Sequence, residues 1–219
     1  MRNYLIIVLS IMLYMFSCSD KKKYRSGEDL SIPDSLYSFF PESKQIKGGN
    51  EFFRASNAKI TSSDKIWFFS ATYDFRVYRF MSPELFDSLV SKHRENSIVE
   101  FKVNEDSTYF IISEEDEMKK IYGLKNLEKI YKIYKNKYIL PSFHSLMFDR
   151  YGYNYKCQTI CGLPEYYKIL IINSGRKFVL PKNLEYDWYI LPPELKHGYT
   201  SGIAYSRQNL DIIYWVITW

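Results

Sequence analysis

The side chains best suited to catalysis or metal binding are those of two cysteines and two histidines in the second half of the sequence. Cys157 and Cys161 are four positions apart, with His144 upstream and His197 downstream. In an oxidising compartment this spacing predicts a disulfide that closes a small loop, worth ~2–3 kcal/mol. Three alternatives stay open: two buried thiols, a zinc site that needs two further ligands, and a thiol nucleophile that needs a histidine base.

The segment Gly198-Tyr199-Thr200-Ser201-Gly202 has the outline of a Gly-x-Ser-x-Gly nucleophile elbow, with threonine at its centre. Such an elbow needs a strand before it and a helix after it. Here two prolines precede the segment and a strand-like run follows it, which favours a glycine-bordered turn. A hydrolase that uses His197 with Thr200, Ser201 or Cys157 is therefore the second functional hypothesis.

Other catalytic and cofactor motifs are absent from the sequence. It contains no phosphate loop, dinucleotide fingerprint or calcium loop, and the acidic run Glu114–Glu117 is explained as a helix start. The formal charge is +5, but basic and acidic residues are interleaved, which argues against a nucleic-acid partner. We therefore predict no catalytic residues, no metal and no cofactor, and we favour a non-enzymatic domain.

Tyrosine is unusually frequent, with 21 residues in 219. Tyr151, Tyr153 and Tyr155 lie in the irregular stretch 141–164, where exposed tyrosines would suit contacts with a protein or a glycan. They are the candidate binding surface. The alternatives are that they pack half-buried over a sheet, and that the tyrosine content reflects only the codon usage of an AT-rich genome.

The first seventeen residues have the pattern of a secretion signal. Arg2 is the only charge before Asp20, and Tyr4 to Phe16 is apolar except for Ser10. About 13 residues make ~20 Å of helix, which is too short for a hydrocarbon core of ~30 Å. This length favours a cleaved signal peptide over a membrane-spanning anchor.

The run Met15-Phe16-Ser17-Cys18 resembles the lipobox of bacterial lipoproteins. The resemblance covers only the first ~20 residues, and Ser17 supplies the small residue before the cysteine. It implies that the signal is cut before Cys18, that Cys18 is fatty-acylated, with palmitate as the expected chain, and that this lipid holds the chain on a membrane. Because Ser19 rather than aspartate follows, the resemblance favours the outer over the inner membrane, with the domain in the periplasm or at the cell surface.

The chain after the cysteine divides into two parts. Residues 18–30 are polar and charged, which predicts a lipid-anchored flexible tether. We expect residues 31–219 to form a single globular domain, long enough to fold without a metal or a disulfide.

Several segments predict helices. Ser82-Pro83-Glu84 combines a capping hydroxyl, a proline and an acid at a helix start, and Lys92, His93 and Arg94 crowd the other end as cations. Weaker helix signals begin at Pro33, Ser113 and Leu127, and we expect about three helices.

Apolar runs separated by turn residues predict the strands. They are Ile66–Tyr73 and Phe75–Met81 around a turn at Asp74, a hairpin of Ser97–Val103 with Thr108–Ile112, a hairpin of Tyr167–Asn173 with Lys177–Leu180, a strand at Tyr186–Leu191, and a last hairpin of Gly202–Ser206 with Asp211–Trp219. The last strand is apolar on both faces, so we expect it at the centre of a covered sheet. The fold class is α+β with a mainly antiparallel sheet.

Together these features predict an envelope lipoprotein with a non-enzymatic binding or accessory domain. Its partner would be an envelope protein or a glycan.

Overall fold

A computed structural model describes residues 32–56, 72–112, 137–144, 146–147, 159–180 and 196–219. Nine strands lie in these ranges: β1 Gln45–Ile46, β2 Gly49–Ser56, β3 Thr72–Phe80, β4 Val99–Lys102, β5 Tyr109–Ile112, β6 Tyr138–Pro141, β7 Lys168–Gly175, β8 Tyr199–Ser206 and β9 Asp211–Thr218. The α-helix α1 spans Pro83–Glu95, and a 3-10 turn spans Asp34–Tyr37. The predicted signal peptide, the tether, the helices beginning at Ser113 and Leu127, and the strand Tyr186–Leu191 lie outside the described residues.

The architecture is α+β, and a seven-stranded antiparallel sheet dominates it. The strand order is β1-β2-β3-β9-β8-β7-β4. The predicted last hairpin is confirmed, because β8 and β9 pair from Tyr199↔Thr218 to Ser206↔Asp211. The central position of the last strand is also confirmed, since β9 lies between β3 and β8 and all eight of its residues are buried.

Each face of the sheet carries its own apolar core, as the alternation in β9 predicts. Ile213, Trp215 and Ile217 point into the first core, which β5, β6 and residues near 143–147 and 161–163 cover. Ile212 and Tyr214 belong to the second core, which α1 and residues 32–40 cover. The central strand is therefore removed from water on both sides, and the burial of its apolar side chains stabilises the sheet.

The helix prediction is confirmed in part. α1 begins as predicted: the Ser82 hydroxyl accepts a hydrogen bond from the backbone N–H of Leu85 at 3.3 Å, and Pro83 is the first helical residue. The signal at Pro33 yields only the short 3-10 turn, because Phe40 and Leu36 pack directly on the second core. About three helices are not supported, since α1 is the single α-helical element assigned among the described residues.

The predicted hairpin of Ser97–Val103 with Thr108–Ile112 is wrong, although both strands exist. β4 pairs with β7, whereas β5 pairs in parallel with β6 in a separate two-stranded sheet. Two successive backbone turns, Glu105 N to Lys102 O and Thr108 N to Glu105 O, redirect the chain between them. All four residues of β5 are buried, and a place at the sheet edge would have left one face in water.

Two further strand predictions are wrong. The segment Lys177–Leu180 forms no strand, and β4 and β8 already occupy both edges of β7 over Lys168–Ile171. The predicted turn at Asp74 is instead the interior of the continuous strand β3. Asp74 is 1% exposed and its carboxylate pairs with Arg54 at 3.0 Å and Arg76 at 3.3 Å, so ion pairing overrides the turn preference of aspartate.

Candidate functional site

A cleft of about 610 Å³ opens on the α1 side of the sheet, between α1, residues 38–41 and the β1–β2 turn. Its volume lies in the range of small-molecule sites, ~300–1,000 Å³. Apolar side chains form most of the wall: Phe39, Phe40, Pro41, Ile46, Leu85, Leu89 and Ile172. Polar side chains lie at the floor and the mouth: Ser38, Lys47, Ser88, Lys92, His93, Asn96 and Tyr214.

One face of α1 forms the first wall. Its lining residues recur every three or four positions, which places them on one side of the helix. They are Leu85, Ser88, Leu89, Lys92, His93 and Asn96. The cap at Ser82 fixes where the helix begins, and so fixes which residues turn toward the cleft.

The β1–β2 turn forms part of the second wall. Gly48 has φ of +78°, a left-handed conformation that a glycine adopts without strain. This tight turn brings Ile46 and Lys47 to the cleft. A Cβ on Gly48 would overlap the Leu85 side chain, so the turn packs directly against α1.

A buried ion network supports the wall at Phe40. The Arg76 guanidinium lies 5.0 Å from the centre of the Phe40 ring and 5.6 Å from that of Tyr37, within cation–π range. Asp74 holds Arg76 in this position. Burial, assisted by the Asp74 carboxylate, raises the pKa of Tyr37.

The floor of the cleft is a histidine–tyrosine pair. Nε2 of His93 lies 3.0 Å from the hydroxyl oxygen of Tyr214, and the two ring centres are 5.4 Å apart. Burial, with a smaller effect of the Lys92 charge, lowers the pKa of His93 to about 4. Burial also raises the pKa of Tyr214, with a smaller effect of Tyr78. Both groups are therefore neutral at pH 7, and each satisfies a polar atom of the other.

The mouth of the cleft is basic. Lys47 and Lys92 are exposed there, and the described lining residues include no carboxylate. The C-terminal end of α1 is close by, but its last carbonyls are capped: Asn96 donates to Lys92 O and His93 O, and Ser97 donates to Arg94 O. The capping reduces the negative end of the helix dipole near the mouth.

The candidate hydrolase residues do not form an elbow. Thr200 and Ser201 lie inside β8 and neither has exposed surface, so the predicted turn is wrong here and a substrate could not reach either hydroxyl. The Ser201 hydroxyl accepts a hydrogen bond from Asn173 at 3.1 Å. The ring of His197 packs on Phe178 with their centres 5.0 Å apart, and Cys157 lies outside the described residues.

The two glycines of this segment have a structural explanation instead. A Cβ on Gly198 would overlap the indole of Trp219, and a Cβ on Gly202 would overlap the carbonyl oxygen of Leu170. Gly198 and Trp219 also exchange two backbone hydrogen bonds, of 2.9 and 3.0 Å. Close strand packing therefore accounts for the glycine spacing that resembled a motif.

The other predicted site residues fall mostly outside the described ranges, among them Cys18, Tyr151, Tyr153, Tyr155 and Cys157. Cys161 is completely buried, with its sulfur 3.5 Å from the Thr159 hydroxyl. The disulfide between Cys157 and Cys161 stays a prediction. His144 lies at the edge of the first core, where a Cβ on Gly162 would meet its backbone.

Sequence reasoning missed His93 as a site residue and described it as a terminal cation. It is instead 7% exposed and neutral. The signal was available: His93 continues the series Leu85, Leu89 at four-residue spacing, which places it on the apolar face.

Comparison with protein-family models, with curated proteins and with solved structures finds no match for this chain. Within the described residues no helix is both long and apolar enough to cross a bilayer. The same part of the chain shows no group of three or more potential metal ligands. The chain is thus an α+β protein in which an apolar cleft with a basic mouth lies beside a seven-stranded antiparallel sheet.

Proposed function

We propose that this chain is a bacterial envelope lipoprotein, anchored through Cys18, whose domain binds a ligand in the α1 cleft without transforming it. The cleft is the observation that carries the binding role. It combines an apolar interior of small-molecule size with a polar mouth and a neutral floor. Envelope proteins and glycans remain the wider partner classes, and the outer membrane is the proposed location.

The anchor and the cleft are compatible in distance. Cys18 precedes Ile32, the first described residue, by 14 positions. An extended tether of that length reaches about 45 Å. Ile32 is buried in the second core, and the chain then runs directly into residues 38–41 of the cleft wall. A domain tethered this way works within a short distance of the bilayer surface.

The anchor is tested by Cys18→Ser in cells given a labelled palmitate. Wild type should carry the label and enter the detergent phase, whereas the variant should carry no label and move to the soluble fraction. Cys157→Ser is the matched control and should behave as wild type. Unchanged labelling and partitioning of the Cys18 variant would refute the anchor.

The binding role is tested with N-phenyl-1-naphthylamine, a neutral dye that brightens in apolar sites. The full chain with Cys18→Ser is used, so that no covalent lipid competes. Ser88→Trp places an indole in the cleft, and Ser91→Trp is its control, since both serines are exposed on α1 but only Ser88 lines the cleft. We expect saturable binding in the parent and the control, and at least tenfold weaker binding in Ser88→Trp. Equal binding by both variants would exclude the cleft as the site.

The hydrolase alternative makes the opposite prediction. It requires turnover that His197→Ala abolishes. A substrate-class panel with both proteins separates the two hypotheses, and turnover lost with His197 would overturn the non-enzymatic role.

A further inference from the structure

The α1 cleft sets two opposite requirements on whatever enters it. Seven of its wall side chains, among them Phe39, Phe40, Leu85 and Leu89, are apolar, and burying apolar ligand surface against them is favourable. The mouth, in contrast, carries two ammonium groups. A ligand that satisfies both requirements has an apolar body and one negatively charged end.

The floor of the cleft presents aromatic rings around one internal hydrogen bond. That bond, 3.0 Å long, joins Nε2 of His93 to the Tyr214 hydroxyl. Phe39 packs against both rings, with centre distances of 6.2 Å to each. A methylene chain can therefore lie against these aromatic rings without displacing the hydrogen bond between His93 and Tyr214.

The charge of the mouth comes from two different elements. Lys47 belongs to the β1–β2 turn and Lys92 to the last turn of α1, so two separate elements supply the positive charge. Among the described lining residues no acid opposes them, and the nearby helix end is capped by Asn96 and Ser97. An anionic group at the mouth is attracted by these two charges, whereas a cationic group is repelled by them.

We infer that the cleft binds a single-chain anionic amphiphile, with its acyl or alkyl chain inside and its carboxylate or phosphate between Lys47 and Lys92. This inference rests on the proposed binding role and names the ligand class. A fatty acid and a lysophospholipid share this chemistry. The charge complementarity of the mouth favours them over a neutral glycan or a cationic peptide.

The test compares three twelve-carbon probes that displace the neutral dye: dodecanoate, dodecyl phosphate and dodecyltrimethylammonium, each below its micelle concentration. We expect both anions to bind at least about fivefold more tightly than the cation, with a preference that weakens as salt rises. A preference between carboxylate and phosphate supports the inference and identifies the head group. Shortening the chain to ten carbons should weaken binding by about fourfold per methylene removed.

Charge reversal supplies the decisive variant. Lys47→Glu with Lys92→Glu should remove or invert the anion preference. Lys44→Glu with Lys102→Glu is the matched control, because both lysines are exposed outside the lining and the net-charge change is the same. All four lysines are exposed, so both double variants should fold. Circular dichroism checks that they do.

The outcomes separate the inference from the proposed function. If Ser88→Trp blocks dye binding but the anions and the cation bind equally well, the inference of an anionic ligand is overturned. The proposal of a binding cleft then still holds. Loss of the anion preference in both charge-reversed variants alike would also overturn it, since the net charge rather than the mouth would then be responsible. Absence of any saturable binding overturns both.

Discussion

The buried histidine at the floor of the cleft should make the protein less stable in mild acid. His93 is 7% exposed, and its pKa falls from the ordinary 6.5 to about 4, first because of burial and second because of Lys92. Between those two pH values the unfolded chain binds a proton at this site and the folded chain does not. The free energy of unfolding must therefore fall as the pH is lowered from about 7 toward 4.

The size of the effect follows from the two pKa values. The full difference corresponds to about 3 kcal/mol, and about 2.5 kcal/mol of it should be lost between pH 7.5 and pH 4.5. This is a large part of the ~5–15 kcal/mol that stabilises a typical domain. Carboxylates whose pKa is lowered in the folded protein also reduce the free energy of unfolding as the pH falls. For example, the hydrogen bond from Arg207 lowers the pKa of Asp87. Burial raises the pKa of Glu100, but hydrogen bonds from Arg94 and Tyr205, together with the charges of Arg94 and Lys168, outweigh it and lower the pKa.

The assay is urea unfolding at pH 7.5 and 4.5 for wild type and His93→Gln. The carboxylate contribution is common to both proteins and cancels in the comparison. Wild type should lose about 2.5 kcal/mol more than the variant over this interval. Equal losses would refute the assignment of His93 as a neutral buried group.

A second variant tests the assigned cause. Tyr214→Phe removes the hydroxyl that lies 3.0 Å from His93 but leaves the ring buried. Because burial is the main cause of the low pKa, the extra acid sensitivity should persist in this variant. Its disappearance would show that the hydrogen bond, and not burial, keeps the histidine neutral.

Three further predictions concern the sheet. Gly202→Ala should destabilise the protein by about 3 kcal/mol, because the new Cβ meets the Leu170 carbonyl; an unchanged urea midpoint would contradict this. Asp74→Asn should cost about 1–2 kcal/mol at pH 7, discounted for the 43% exposure of Arg54, and an unchanged urea midpoint would contradict this. Deletion of Val216–Trp219 removes three of the eight residues of the central strand and should abolish cooperative melting; a normal transition would rule out its central role.

The central strand could be predicted because both of its faces are apolar over its whole length. That pattern leaves only a covered interior position for β9, and the structure places it there. The cap of α1 was equally clear, since Ser82-Pro83-Glu84 satisfies a helix start with local contacts alone. Features that depend on neighbouring residues could thus be predicted from the sequence.

The pairing partners of the strands could not be predicted from the sequence, because they depend on contacts between distant residues. Phe110 and its neighbours in β5 have strand propensity in either location, and only their complete burial selects β6 over β4. The acceptance of Asp74 inside β3 likewise depends on Arg54, twenty positions away. The cleft has the same origin: α1, the segment 38–41 and the β1–β2 turn meet only in the folded chain.

The tyrosine content takes on a physical meaning once burial is known. Among the described tyrosines, Tyr166 is exposed and the others are buried or half-buried. Their hydroxyls are hydrogen-bonded within the protein: Tyr78 donates to Ser43 O at 2.9 Å, and Tyr167 donates to Asp211 at 3.3 Å. In this part of the chain tyrosine fills the core as phenylalanine would and also satisfies buried polar groups, so its frequency there requires no exposed binding surface.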